Sequence, residues 1–184
     1  MALSAALLRR VRHHVRRGGV IAYATESCFG FGCDPNNERA LQKVLHLKRR
    51  PKGKGLIVIG DRIESFAPFL QPLSERDRQR VHNTWPGPHT WLIPAKDMVK
   101  HTLRGKHAAL AVRLPAHHDA RDLCHRLAAA IVSTSANRAG QQPIKSTRDC
   151  LRRFGTRVEV IPGRIGQRKL PSTIQDLITG EIFR

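Results

Sequence analysis

Hydrophobic residues recur at helical spacing in several stretches of the chain. Between residues 3 and 17, leucine and valine recur every fourth position, which predicts an amphipathic helix with a basic outer face that ends at the following glycine pair. A second helix is predicted to begin with Asn36 or Asn37 as its N-cap and to end near Lys48. Further helices are predicted over 74–84, 117–129 and 146–154.

Short apolar runs between these helices predict strands, and the glycine-rich stretch 24–34 is predicted as a loop. The predicted strands cover 20–23, 56–59, 90–95, 109–115, 130–137, 158–161 and 171–177, with a last short strand that ends at Arg184. Strands that alternate with helices imply an α/β fold. We expect a single domain over 1–184, built on a twisted, open, mixed β-sheet with flanking helices, with the helix 3–17 packed on it.

The net charge indicates a polyanionic partner. Lysine and arginine number 33 against 14 acidic residues, which leaves a formal net charge of +19. Such a field attracts nucleic acids, nucleotides or an anionic surface without specifying which. No apolar run approaches the roughly 18 residues of a membrane span, so we expect a cytoplasmic protein without a membrane partner.

The cysteines and the common nucleotide motifs exclude several classes of protein. The four cysteines lack zinc-finger spacing, so we expect free thiols in a reducing compartment and no metal site built from protein side chains. The chain contains no P-loop, and the run FGFGC lacks the third glycine of a dinucleotide-binding loop. Ser135 has no flanking glycines, which argues against a nucleophile elbow.

A basic stretch over 46–60, HLKRRPKGKGLIVIG, is the strongest candidate for chemistry. Lys48 is predicted on the last helical turn, whereas Arg50 precedes Pro51 and is therefore biased towards an extended conformation. A chain that leaves the helix between them can bring both cations to one pocket. The alternative is that these cations only stabilise the helix C-terminus or form a solvated face.

Polar residues also lie at the ends of several predicted strands. Thr25-Glu26 follow the first strand and Arg113 ends the run ALAV, whereas Ser172-Thr173 open the run TIQD. The run AIV is followed by Ser133, Thr134, Ser135 and Asn137. Each has an ordinary structural explanation: a turn hydroxyl, a helix cap or a surface ion pair. Together, and beside the basic stretch, they predict a pocket in which cations bind phosphates and a carboxylate while hydroxyl groups orient the ligand.

An ordered series of motifs resembles the YrdC-like threonylcarbamoyl-AMP synthases, in their short single-domain bacterial form. The motifs are VIAYATE, FGFGCDP, LKRRPKGKGLIVI, WPGPHT, LAVRLP, VSTSAN and PSTI. The resemblance implies that L-threonine, bicarbonate or CO₂, and ATP are converted to L-threonylcarbamoyladenylate and pyrophosphate. The product would serve the modification of adenosine 37 in tRNAs that read codons starting with A, through a downstream threonylcarbamoyl transferase complex.

The resemblance also implies roles for individual residues. The expected catalytic residues are Lys48, Arg50, Ser135 and Asn137. The expected L-threonine-binding residues are Thr25, Arg113, Ser133 and Ser172. The expected ATP-binding residues are Lys48, Lys54, Ser135 and Arg184. Arg49 and Lys52 match no motif and are assigned to solvent or RNA.

The implied reaction joins two anions, a carbamate and the α-phosphate of ATP. Cations, with Mg²⁺ on the ATP phosphates, would screen their repulsion, so catalysis would consist of positioning and electrostatics. The chain departs from the family pattern at Ala24, where proline is usual, and at His89, where an apolar residue is common. The loop 163–169 is the candidate lid.

Two other functions remain open. The basic surface could make the protein a tRNA-binding, double-stranded RNA-binding or ribosome-maturation factor without turnover. A related carbamoyl-adenylate activity on a different acceptor is the other possibility. Pyrophosphate release that requires both L-threonine and bicarbonate distinguishes the synthase from both.

Overall fold

A mixed eight-stranded sheet forms the centre of the protein in the computed structural model, which describes residues 3–184. The strands are β1 (Ile21–Ala24), β2 (Phe29–Gly32), β3 (Ile57–Ile59), β4 (His89–Pro94), β5 (Ala109–Arg113), β6 (Ile131–Ser135), β7 (Glu159–Val160) and β8 (Thr173–Asp176). Their order is β7-β1-β2-β6-β3-β5-β4-β8. The pairs β1–β7, β3–β5 and β4–β8 are parallel and the others antiparallel, which confirms the predicted mixed sheet.

Helices connect and flank the strands. They are α1 (Ala5–Arg16), α2 (Glu38–Lys48), α3 (Glu75–His82), α4 (His101–Arg104), α5 (His118–Leu127) and α6 (Thr147–Phe154), with 3₁₀ turns at Lys52–Lys54 and Ile63–Phe66. Of the two predicted caps of α2, Asn36 and Asn37, the structure has Asn37, whose side chain accepts a hydrogen bond from the backbone N–H of Ala40 at 3.0 Å. The predicted helix 3–17 corresponds to α1, and α2 ends at Lys48 as predicted.

The prediction of a loop over 24–34 was wrong, because β2 lies within it. Glycine disfavours strands in general, but here it allows close packing. A Cβ atom on Gly32 would lie 2.8 Å from Cε1 of Tyr23, on the neighbouring strand β1. The short helix α4 was also missed, in a segment with few apolar residues.

The two faces of the sheet are covered unequally. On one face, α2 and α6 contribute to a large core that contains Phe29, Leu41 and Phe154. On the other face, α1 and α5 pack on a smaller cluster that includes Val11 and Leu123. That smaller cluster leaves the face uncovered over parts of β3, β5 and β4, and a polar cavity lies there.

Candidate functional site

A cavity of about 670 Å³ occupies the uncovered face of the sheet. Successive side chains of a strand point to opposite faces, so alternate residues form its floor. Ile57 on β3 lies opposite both Ala111 on β5 and Ser133 on β6, and all three line the cavity. The floor is therefore apolar in the middle and carries hydroxyl groups on the β6 side.

The walls of the cavity are strongly basic. Its lining residues include seven lysines and arginines and no aspartate or glutamate: Arg50, Lys54, Arg104, Arg113, Lys145, Lys169 and Arg184. Burial lowers the pKa of Arg50, and the charge of Arg184 lowers it further. The pKa of Arg184 is lowered in the same way, by burial and then by Arg113. A bound anion would relieve this crowding of like charges, so the cavity is suited to phosphates and carboxylates.

Lys48 lies behind the cavity wall. Its side chain is buried, with 4% of the residue exposed. The ammonium donates to the backbone and side-chain oxygens of Ser135 and Asn137, with distances of 3.3 Å to Ser135 Oγ, 3.2 Å to Asn137 O and 3.3 Å to Asn137 Oδ1. Burial, reinforced by the charge of Arg50, lowers the pKa of Lys48 to about 8. Its hydrogen-bonding capacity is used to hold the end of β6 in place.

Ser135 and Asn137 form a closed turn with each other. Ser135 Oγ donates to Asn137 Oδ1 at 2.6 Å. The amide nitrogen of Asn137 donates to the carbonyl oxygens of Arg138 at 2.9 Å and Gln141 at 2.7 Å. Only Ser135 of this pair lines the cavity, so Asn137 shapes the turn from behind.

The basic stretch after α2 is folded into a tight corner. Arg49 adopts a left-handed conformation (φ 51°) at the C-cap and turns the chain away from the helix. The guanidinium of Arg50 then donates to the carbonyl oxygens of Lys54 and Gly55 at 3.1–3.2 Å. Gly55 has φ +57°, and a Cβ atom there would lie 2.8 Å from the carbonyl oxygen of Arg104. The corner holds Arg50 fixed, while Lys54 is exposed at the cavity rim.

The turn between β1 and β2 reaches the end of β5. Thr25 Oγ1 donates to the carbonyl oxygen of Cys28 at 2.7 Å, which fixes the turn. Glu26, beside it, forms an ion pair with Arg113 at the end of β5. Arg113 also lines the cavity, so it is both an ion-pair member and a candidate ligand for a carboxylate.

The C-terminal residues close the cavity on the β8 side. The backbone N–H of Ile174 donates to the carbonyl oxygen of Arg184 at 2.9 Å, so the tail runs beside β8. Arg184 Nε donates to the carbonyl oxygen of Ser172 at 3.1 Å. The hydroxyl of Ser172, which lines the cavity, accepts hydrogen bonds from Thr90 Oγ1 at 2.9 Å and from Arg184 Nη2 at 3.5 Å.

Eight of the ten residues predicted for the site line this one cavity: Thr25, Arg50, Lys54, Arg113, Ser133, Ser135, Ser172 and Arg184. Lys48 and Asn137 lie immediately behind its wall. The loop 163–169 runs along the rim, where Gly166 N–H donates to the carbonyl oxygen of Thr25 at 3.0 Å. Lys169 at its end lines the cavity.

Sequence reasoning missed several residues of the site, among them the lining cations Arg104 and Lys145 and two residues of the β1–β2 hairpin. Gly30 lies in the cavity floor, where a Cβ atom would lie 3.3 Å from Cγ2 of Thr25 and 3.5 Å from Oγ of Ser133. The FGFG alternation was the signal for it. Glu26 was noted only as the neighbour of Thr25, and its partner Arg113 is distant in sequence.

The fold and the cavity define an α/β domain with a basic cavity on an open sheet face. The chain belongs to the Sua5/YciO/YrdC family: the family model Sua5_yciO_yrdC, described as "Telomere recombination", matches residues 13–184. The family resemblance inferred from the motifs is thereby confirmed.

Relatives of similar length carry one name. A protein of Methylobacillus flagellatus called threonylcarbamoyl-AMP synthase is 52% identical over 176 residues, covering 96% of this chain and 98% of the relative. A protein of the same name from Neisseria meningitidis serogroup A is 45% identical over 183 residues, covering 99% of this chain and 97% of the relative.

Solved structures share the fold. The structure of P. abyssi Sua5 complexed with L-threonine superposes with a TM-score of 0.89 at 26% identity; the match covers 99% of this chain but 54% of that one, so this chain spans about half of its length. E. coli YciO superposes with a TM-score of 0.81 at 23% identity, covering 100% of this chain and 90% of that one, which supports the fold alone.

Within residues 3–184, no helix is both long and apolar enough to cross a bilayer. The same residues hold no cluster of three or more histidine, cysteine or acidic side chains arranged for a metal ion.

Proposed function

We propose that this protein is a threonylcarbamoyl-AMP synthase, a nucleotidyltransferase that makes L-threonylcarbamoyladenylate and pyrophosphate from L-threonine, bicarbonate or CO₂, and ATP. The observation that carries the proposal is the cavity, which brings seven cations and several hydroxyl groups together without a carboxylate. Relatives that carry this enzyme name at 45–52% identity over nearly the whole chain support it. The product serves the modification of adenosine 37 in tRNAs that read codons starting with A.

L-Threonine is bound at the Arg113 side of the cavity. A guanidinium pairs well with a carboxylate, because its planar N–H groups match the two oxygens. The hydroxyl groups of Thr25, Ser133 and Ser172 line the same cavity and orient the amino acid by hydrogen bonds. The threonine amine attacks the carbon of CO₂ and loses a proton, which gives a carbamate.

ATP is bound with its phosphates among Arg50, Lys54 and Arg184. A carbamate oxygen attacks the α-phosphorus, and the bond from this phosphorus to the bridging oxygen of the β-phosphate breaks to release pyrophosphate. Both reacting groups are anionic, so the cations lower their repulsion and stabilise the charge that develops on pyrophosphate. The side chains act by placement and charge, and a protein nucleophile is not needed.

Lys48, Ser135 and Asn137 shape the reacting end of the cavity. Lys48 fixes the Ser135 hydroxyl, which faces the cavity, and Asn137 closes the turn behind it. The single O–H of Ser135 donates to Asn137 Oδ1, and it turns from that oxygen to donate to the bound carbamate or α-phosphate.

Mg²⁺ is expected with the ATP phosphates. The described lining of the cavity offers no carboxylate as a ligand, so the ion would be held by phosphate oxygens and water rather than by a preformed protein site. When bound, it would neutralise phosphate charge.

The decisive experiment measures pyrophosphate release by the purified protein with ATP, L-threonine and bicarbonate. We expect release only when both L-threonine and bicarbonate are present. Nucleotide turnover that ignores L-threonine would refute the synthase, and equal turnover with another amine acceptor would instead indicate the related carbamoyl-adenylate activity.

RNA binding is the second candidate, because a separate basic groove favours it. This groove, about 720 Å³ and open to solvent, is lined by Arg49, Arg50, Arg138 and Arg157 and by no acidic residue. Four guanidinium groups on a concave surface match a phosphate backbone. We expect the combined changes Arg49→Ala and Arg157→Ala to weaken tRNA or double-stranded RNA binding in a salt-dependent way while pyrophosphate release is retained. Unchanged RNA affinity would remove this candidate.

The domain organisation, the cellular location and the downstream partner follow from the proposed activity. Residues 1–184 act as one catalytic domain in the cytoplasm, where tRNA is modified. The adenylate is passed to a tRNA threonylcarbamoyl transferase complex.

A further inference from the structure

Glu26 occupies an unusual place beside the cavity. Its neighbours Thr25 and Ser27 line the cavity, but Glu26 lies behind Arg113, and its side chain is 12% exposed. A single oxygen, Oε1, is paired with Arg113 Nη2 and accepts hydrogen bonds from the backbone N–H groups of Ala116 at 3.0 Å and His117 at 3.3 Å.

These contacts fix the plane of the Arg113 guanidinium. Nε donates to the carbonyl oxygen of Gly87 at 3.0 Å. Nη2 is buried and forms an ion pair with Glu26 without the geometry of a hydrogen bond, which leaves Nη1 for a ligand. On the cavity side, the like charge of Arg184 repels that of Arg113. Glu26 is therefore the charge that retains Arg113 in this orientation.

The backbone of the same turn holds the rim loop, residues 163–169. The carbonyl oxygen of Glu26 accepts a hydrogen bond from the N–H of Arg168 at 3.2 Å. This contact lies beside the hydrogen bond from the N–H of Gly166 to the carbonyl oxygen of Thr25. The β1–β2 turn, the end of β5 and the rim loop thus meet at Glu26.

Building on the proposed function, we infer that Glu26 is a positioning residue for L-threonine binding: it holds the Arg113 guanidinium in the orientation that accepts the substrate carboxylate. Glu26 does not touch the substrate. Its effect is transmitted through Arg113 and is therefore larger for L-threonine than for the phosphates bound among Arg50, Lys54 and Arg184.

The test compares the Glu26→Gln variant with the wild type. The amide keeps the shape and can still accept the backbone hydrogen bonds, but it removes the charge opposite Arg113. We expect the KM and the calorimetric Kd for L-threonine to rise about tenfold, while the KM for ATP changes by less than about twofold. The matched control is Glu159→Gln, which removes a carboxylate paired with Arg10 on the surface and is expected to change neither KM.

A double-mutant cycle separates positioning from a general structural effect. If Glu26 acts through Arg113, Glu26→Gln adds nothing to the L-threonine affinity already lost in Arg113→Ala. The inference is overturned if Glu26→Gln leaves the L-threonine affinity unchanged, raises both KM values together, or weakens the Arg113→Ala variant by a further factor of the same size.

Two additional measurements keep the test decisive. If thermal unfolding shows that the Glu26→Gln variant is not folded, Glu26→Asp is tested instead. This change keeps the carboxylate charge but moves it away from Arg113, and an unchanged L-threonine Kd in that variant overturns the inference. The Kd measurement does not depend on turnover. A wild type that binds L-threonine without releasing pyrophosphate refutes the proposed function while the role of Glu26 is still judged from the Kd values.

Discussion

Lys48, the last residue of α2, donates hydrogen bonds to Ser135 at the end of β6, 87 residues further along the chain. A buried ammonium is costly unless acceptors surround it, and here Ser135 and Asn137 supply four oxygens. The contact joins the basic corner to the hydroxyl-rich turn, so the two motifs form a single wall of the cavity.

Replacing Lys48 with methionine is expected to destabilise the fold. The side chain stays long, but the acceptors of Ser135 and Asn137 lose their donor, at a cost of about 1–3 kcal/mol in the free energy of unfolding. Urea denaturation measures the change. The control is Lys54→Met at the exposed rim, where a change below about 0.5 kcal/mol is expected. Equal stability of the two variants would contradict the bracing role of Lys48.

The affinity for ATP should fall as the pH rises above about 8. The pKa of Lys48 is lowered to about 8, so its ammonium carries a charge below that pH and becomes a neutral amine with one donor fewer above it. The positive potential of the cavity and the hydrogen bonds from Lys48 to Ser135 then weaken together. Calorimetry of ATP binding from about pH 7 to about 9.5 checks this. Lys48→Arg stays cationic throughout and should lose this pH dependence; if it keeps the same dependence, another group is responsible.

Lys54→Ala should weaken ATP binding selectively. The exposed ammonium at the rim is expected to contact the phosphates, so its loss raises the Kd for ATP about five- to tenfold at low salt and less at high salt. The Kd for L-threonine should not change. Arg78→Ala on α3 removes one exposed positive charge outside the cavity lining and is the control for net charge. A similar loss of ATP affinity in that variant would mean that Lys54 acts only through the overall field.

Alanine at Gly30 and at Gly32 should have different consequences. At Gly30 the new methyl group enters the cavity and presses on Thr25, so we expect the KM for L-threonine to rise with little loss of stability. At Gly32 it would lie 2.8 Å from Tyr23 Cε1 and 3.0 Å from the carbonyl oxygen of Val132. The expected cost is about 1–3 kcal/mol of stability, with substrate affinity retained. Thermal unfolding and the KM for L-threonine are measured for both variants. If the two variants changed stability and KM to the same extent, the position of Gly30 in the cavity floor would be contradicted.

Local sequence patterns were sufficient for most of the helices and for the composition of the site. The cap at Asn37 and the end of α2 at Lys48 follow from residue types a few positions apart. The strand-end hydroxyl groups and cations were recognised in the same way. Strand β2 could not be recognised from the sequence, because glycine has a low strand propensity. Its two glycines fit the strand only because side chains of neighbouring strands pack closely against them.

The amino-acid sequence by itself determined an α/β protein whose basic corner and strand-end hydroxyl groups are typical of an anion site, since spacing and residue chemistry are local properties. Only the tertiary structure decided where each side chain points. Three strands separate β1 from β5 in the sheet, yet Glu26 contacts Arg113. Lys48 turns inward rather than into the cavity, and the cavity exists because α1 and α5 leave part of one face uncovered. These relationships depend on strand order and helix packing, which join residues distant in sequence and leave no local pattern.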